Sequence, residues 1–146
     1  LNMEQMEELV QAAGGIGVTM HRAFDVCRDP IEALEQCVSL GIDTILTSGQ
    51  KSSAWEGREL LRQLADRAGG RLDILAGAGI GPGVIGKLAE YTGVRSFHMS
   101  GKKVVDSRMG FRREGVPMGI PGFSEFEIWQ TDAEKVREAK NNMKKV

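Results

Sequence analysis

The chain has 146 residues, which suits one domain with a moderate core. Its formal net charge of −1 gives no electrostatic footprint for nucleic acid or an anionic membrane, so neither is an expected partner. No apolar run approaches the length of a membrane span, and two cysteines without a framework spacing suit a reducing compartment, making the cytoplasm the expected location.

A helix from about Met3 to Ala13, with Met6, Leu9 and Val10 on one side, ends at Gly14-Gly15. A short apolar string, Ile16 to Met20, then runs into His21, Arg22 and Asp25. Asp29-Pro30-Ile31-Glu32 supplies an N-cap, a first-turn proline and a carboxylate three residues after the cap. The helix it opens carries Ile31, Leu34, Cys37 and Val38 as a stripe and closes at Gly41. A second string, Thr44 to Thr47, leads to Ser48-Gly49. Ser53-Ala54-Trp55-Glu56 reads as a capping box for a helix with Leu60, Leu61 and Leu64, ending towards Gly69. A third string, Leu72 to Ala76, runs into Gly77-Ala78-Gly79-Ile80-Gly81-Pro82 and a helix through Val84, Ile85 and Leu88 to Gly93. The fourth, Ser96 to Met99, contains His98 and leads to Ser100-Gly101. Residues 102–130 show no helical stripe, and their Phe111, Phe123, Phe126, Ile128 and Trp129 argue for an ordered excursion near the mouth, with a lid as one possible role. Thr131-Asp132-Ala133-Glu134 caps the final helix, whose basic end, Lys140 to Lys145, reads as a solvated last turn.

Short apolar strings between helices indicate parallel strands, and their starts recur about every 25 to 30 residues, the size of a β/α unit. Ligands meet such sheets at the carboxyl ends of the strands, which gathers the candidate site residues into one mouth. His21 and His98 are the only histidines. With Arg22 and Asp25 they form the candidate catalytic set: an imidazole as general acid or base and the arginine as an anion clamp. An Arg22–Asp25 salt bridge that merely braces the loop is the structural alternative. Thr47, Ser48, Gly49, Gly77, Gly79, Gly81, Ser100 and Gly101 are candidate anion-binding residues, because glycine-rich turns let backbone N–H groups approach an anion at a helix N-terminus; tight strand-to-helix geometry explains the same glycines. Cys37 lies on the apolar helical stripe and reads as core.

The strings Gly17-Val18-Thr19-Met20-His21-Arg22-Ala23-Phe24-Asp25, Ile45-Leu46-Thr47-Ser48-Gly49-Gln50, Gly77-Ala78-Gly79-Ile80 and Phe97-His98-Met99-Ser100 resemble the CutC copper homeostasis family, as do Asp106-Ser107-Arg108-Met109-Gly110-Phe111-Arg112 and Thr131-Asp132-Ala133-Glu134-Lys135-Val136. Met20 stands where the family usually carries phenylalanine. The resemblance implies an α/β fold of (β/α)8 TIM-barrel type, with residues 1–146 covering about four β/α units, strands five to eight, as the C-terminal half of the barrel. It implies a cytoplasmic protein of copper homeostasis, with Cu(I) as a candidate ligand and Cys27, His21 and His98 as the candidate metal residues by softness, a structural role being the other reading of Cys27. Two other readings stand beside it: a barrel enzyme acting on a small anionic or phosphorylated substrate, and a binding or assembly module without turnover. Four strands cannot close a barrel, and the first residue is Leu1, so the chain is expected to be a fragment completed by a missing N-terminal half or by a second copy as a homo-oligomer.

Overall fold

The structure is a computed structural model and describes residues 1–144; Lys145, the end of the basic cluster, lies outside them. Four parallel strands form one sheet in chain order, the first three each followed by a helix. Helix α1 (Met3–Ala12) precedes strand β1 (Thr19–Met20), which a 3₁₀ turn (Arg22–Val26) links to α2 (Pro30–Ser39). Strand β2 (Thr44–Thr47) leads to α3 (Arg58–Ala68), β3 (Asp73–Ala76) to α4 (Pro82–Thr92), and β4 (Ser96–Phe97) follows. All three strand pairings are parallel, in the order β1-β2-β3-β4.

Local chemistry sets the helix ends. Asp29 accepts the Ile31 and Glu32 amides at 2.9 Å each, and Pro30 fills the first turn, where its missing N–H is no loss. Gly69 and Gly93 end α3 and α4 in the left-handed conformation. The capping-box reading at Ser53 needs correction. Ser53 does take the Glu56 amide, at 3.3 Å, but it closes an isolated turn, and α3 starts later, at Arg58. A hydrogen bond from the Gly57 amide to the Ser53 carbonyl finishes that turn.

Among the described residues the sheet is covered on one face only. Met20, Ile45, Thr47, Ile74 and Ala76 point one way and are buried; most of them join Leu34, Leu61, Leu64 and Leu88 from the helices in the core. Alternation sends Thr19, Thr44, Leu46, Asp73, Leu75 and Ser96 to the opposite face, and none of these is buried. Parallel sheets ordinarily have both faces covered. The second face and the outer edges of β1 and β4 have no partner among the described residues.

The 102–130 segment is more regular than its sequence predicts. Strands β5 (Lys102–Asp106) and β6 (Glu127–Thr131) pair antiparallel as a hairpin, and α5 (Ala133–Met143) follows under an Asp132 cap. Both strands are largely exposed, so their sequence carries no alternating apolar face. The hairpin springs directly from the carboxyl end of β4, and the Gly101 carbonyl accepts the Asp132 amide at its base.

Candidate active site at the strand ends

The carboxyl ends of β1 and β2 meet at Asp25. Its carboxylate lies 93% out of solvent, by a side-chain exposure of 7%, at the end of the 3₁₀ turn. One oxygen accepts the Thr47 hydroxyl at 2.5 Å and the Ser48 and Gln50 amides at 3.1 and 3.3 Å. The other accepts Arg22 Nε at 2.7 Å and the Ser48 amide at 3.1 Å, with Ser48 Oγ 3.0 Å away. Burial pushes the Asp25 carboxyl up, but hydrogen bonds from Thr47, Arg22, Ser48 and Gln50 outweigh it and hold the group below its ordinary value. Stability from this carboxylate is therefore fully present above its unfolded pKa and is lost as pH falls through the lower folded value. Urea midpoints should show a gap between wild type and Asp25→Asn that is constant above about pH 5 and narrows below about pH 4. A gap independent of pH down to acid unfolding would contradict the assignment.

The loop after β2 was expected to cradle a ligand anion, and it does cradle an anion, that of Asp25. The Ser48 amide is spent on that carboxylate, and the Gly49 amide on Thr47 Oγ1 at 2.9 Å. The Gly77 amide donates to the Thr47 carbonyl at 2.9 Å. Ser100-Gly101 leads into β5, so no helix N-terminus stands behind it. Gly79 and Gly81 differ: they lead into α4, whose N-cap Gly81 makes no side-chain capping bond.

Arg22 is the cation of this network. Its Nη2 donates to Ser48 Oγ at 2.9 Å while the side chain stays 46% exposed. Arg22 and Asp25 thus pair as the sequence suggested, with Ser48 as a third member. His21 caps the 3₁₀ turn, Nδ1 accepting the Ala23 amide at 3.0 Å, which leaves Nε2 as the ring atom open to a ligand. His98 is exposed just past β4, its amide donating to the Ala76 carbonyl. Both imidazoles sit at the same end of the sheet. They follow its two outermost strands, however, and three strand spacings of about 4.8 Å separate those along the sheet. No single ion bridges that span.

Metal chemistry finds less support. Among the described residues no three His, Cys, Asp or Glu side chains gather as a metal-holding group, so Cys27, His21 and His98 do not form a ligand set within them. Burial raises the pKa of the half-buried Cys27 thiol and pushes buried Cys37 up to about 11, and both shifts oppose the thiolate that a soft metal needs. Cys27 is engaged by Gln50, whose Nε2 donates to the Cys27 carbonyl at 2.9 Å.

Gln50 and Ala78 are site residues that sequence reasoning missed. Both are non-glycine residues with left-handed φ, 58° and 73°, in the loops after β2 and β3. Gln50 ties the second loop to the first, and the Ala78 carbonyl accepts the Ala54 amide at 3.0 Å, tying the third loop to the second. The only signal in the sequence was their position beside glycines in strand-end turns.

The sequence model of the CutC family matches residues 1–103, which include the whole sheet and the mouth. A CutC family protein of Parabacteroides distasonis is 49% identical over 138 residues, covering 94% of this chain and 57% of that protein. Its counterpart in Pasteurella multocida is 43% identical over 145 residues, covering 99% and 59%. A crystal structure described as a copper homeostasis protein CutC from Streptococcus agalactiae superposes with a TM-score of 0.64 at 28% identity, over 67% of this chain and 49% of that one. The chain therefore spans little more than half the length of the curated relatives it matches. It belongs to the CutC family.

Proposed function

We propose that the chain forms strands five to eight of a (β/α)8 barrel and that the mouth at its strand ends holds a small anionic ligand against Arg22. The barrel reading is supported by the one-sided helical cover, the two open strand edges and the chain-order parallel sheet. On this reading the open face becomes barrel interior, covered by further β/α units from outside these 146 residues or by a second copy. The ligand reading rests on one observation above all: a half-exposed arginine at the carboxyl end of a parallel strand, held by a buried carboxylate. His21 or His98 would move a proton on the bound ligand. The two unpaired thiols and the absence, among the described residues, of a helix long and apolar enough to cross a membrane support a cytoplasmic setting.

The copper homeostasis description of the Streptococcus agalactiae relative brings Cu(I) forward as a second ligand. Cys27, one residue past the mouth turn, would then contribute a ligand, with the others supplied from outside the described residues. The two readings part in one titration followed by amide NMR. Inorganic phosphate should shift the signals of Arg22 and its neighbours Ala23, Ser48 and Gly49, and Cu(I) those around Cys27. Phosphate shifts confined to surface lysines would overturn the anion reading.

A further inference from the structure

We propose that Asp25 is a positioning residue that aims Arg22, so that the mouth grips an oxyanion through two parallel hydrogen bonds from the outer edge of the guanidinium. The inference rests on the anion reading above and sharpens it from charge to geometry. A guanidinium carries five N–H donors in a rigid planar fork. One edge is formed by Nε and one hydrogen of Nη2. Here the protein consumes that edge: Nε donates to Asp25 at 2.7 Å and Nη2 to Ser48 Oγ at 2.9 Å. What remains is the outer edge, the paired hydrogens of Nη1 and Nη2, whose spacing matches two oxygens of a carboxylate or a phosphate. The exposures agree, with the anchor at 7% and the fork at 46%.

Asp25 itself has little capacity left for a ligand. Each oxygen already takes two or more donors, so neither is placed to accept a substrate proton. This separates it from the candidate catalytic set, in which the sequence had placed it beside the histidines. Ser48 stiffens the arrangement. Its Oγ lies 2.6 Å from the Lys51 carbonyl and accepts from Arg22, which fixes the hydroxyl and with it the second point of the fork. A salt bridge that only braced the 3₁₀ turn would need charge and one contact. Two anchors on the same edge of the fork leave the opposite edge with a defined direction.

Isothermal titration with inorganic phosphate and, separately, acetate at fixed ionic strength tests the proposal. Wild type should bind at least one probe, and binding of phosphate without acetate would mark the ligand as phosphorylated. Arg22→Lys keeps the charge but loses the fork, and should weaken binding about tenfold or more at a temperature where the variant is still folded. Ser48→Ala frees one anchor and should weaken binding severalfold; Asp25→Asn should do so more strongly at a pH where it is still folded. If wild type binds and Arg22→Lys matches it within about twofold, the fork geometry is wrong while the anion reading stands. Unchanged affinity in both Asp25→Asn and Ser48→Ala would overturn the positioning role. Absence of binding by wild type to either probe would overturn this inference and the anion reading together.

Discussion

Asp25→Ala is expected to destabilise the protein by about 3 kcal/mol, a large part of a typical folding free energy. The cost comes from the donors it abandons. Thr47 and Ser48 are both fully buried, so water cannot replace the lost acceptor for the Thr47 hydroxyl or the Ser48 amide, while the Ser48 hydroxyl keeps the Lys51 carbonyl at 2.6 Å. Each orphaned buried donor costs roughly 1–3 kcal/mol, while the half-exposed Arg22 recovers much of its loss in water. Urea unfolding at neutral pH measures the effect. A loss under about 1 kcal/mol would mean that the mouth network is looser than its distances state.

Gly57→Ala is the second large effect, and it acts through backbone alone. A Cβ at position 57 would lie 2.0 Å from the Ser48 carbonyl oxygen and 2.8 Å from Gly49 Cα. From the other side, a Cβ at Gly49 would lie 2.2 Å from the Gly57 carbonyl oxygen, at a φ of +71°. Two main chains touch here with no flexible side chain to yield, so the loop after β2 must move and take Ser48 away from Asp25. The expected destabilisation is about 3 kcal/mol or more, with loss of anion binding. Gly86→Ala in α4 supplies the contrast. Its Cβ meets nothing within 4 Å, and helix propensity predicts a gain of about 0.5–1 kcal/mol. Equal effects at the two positions would contradict the close-approach account.

The residues differ in how readily their roles could be read from sequence, and the reason is physical. Elements that bury a continuous string or carry a cap announce themselves, as with Asp29-Pro30 before α2 and Thr44–Thr47 in β2. The exposed β5–β6 hairpin selects no apolar face and so left no period to detect. Strand ends could be located as a mouth because parallel topology places them together. Which donors remain available there could not be read, because that depends on contacts 22 to 26 residues apart: Asp25 with Thr47 and Ser48, and Arg22 with Ser48. Thr47, Ser48 and Gly49 have the composition of an anion nest, and only the fold shows that the protein's own carboxylate occupies it.

A crystal of the protein soaked in phosphate tests the central claim most directly. Two phosphate oxygens should lie within hydrogen-bond distance of Arg22 Nη1 and Nη2 while Nε stays on Asp25. Phosphate bound away from Arg22, or an Arg22 side chain swung off Asp25 to reach it, would contradict the account.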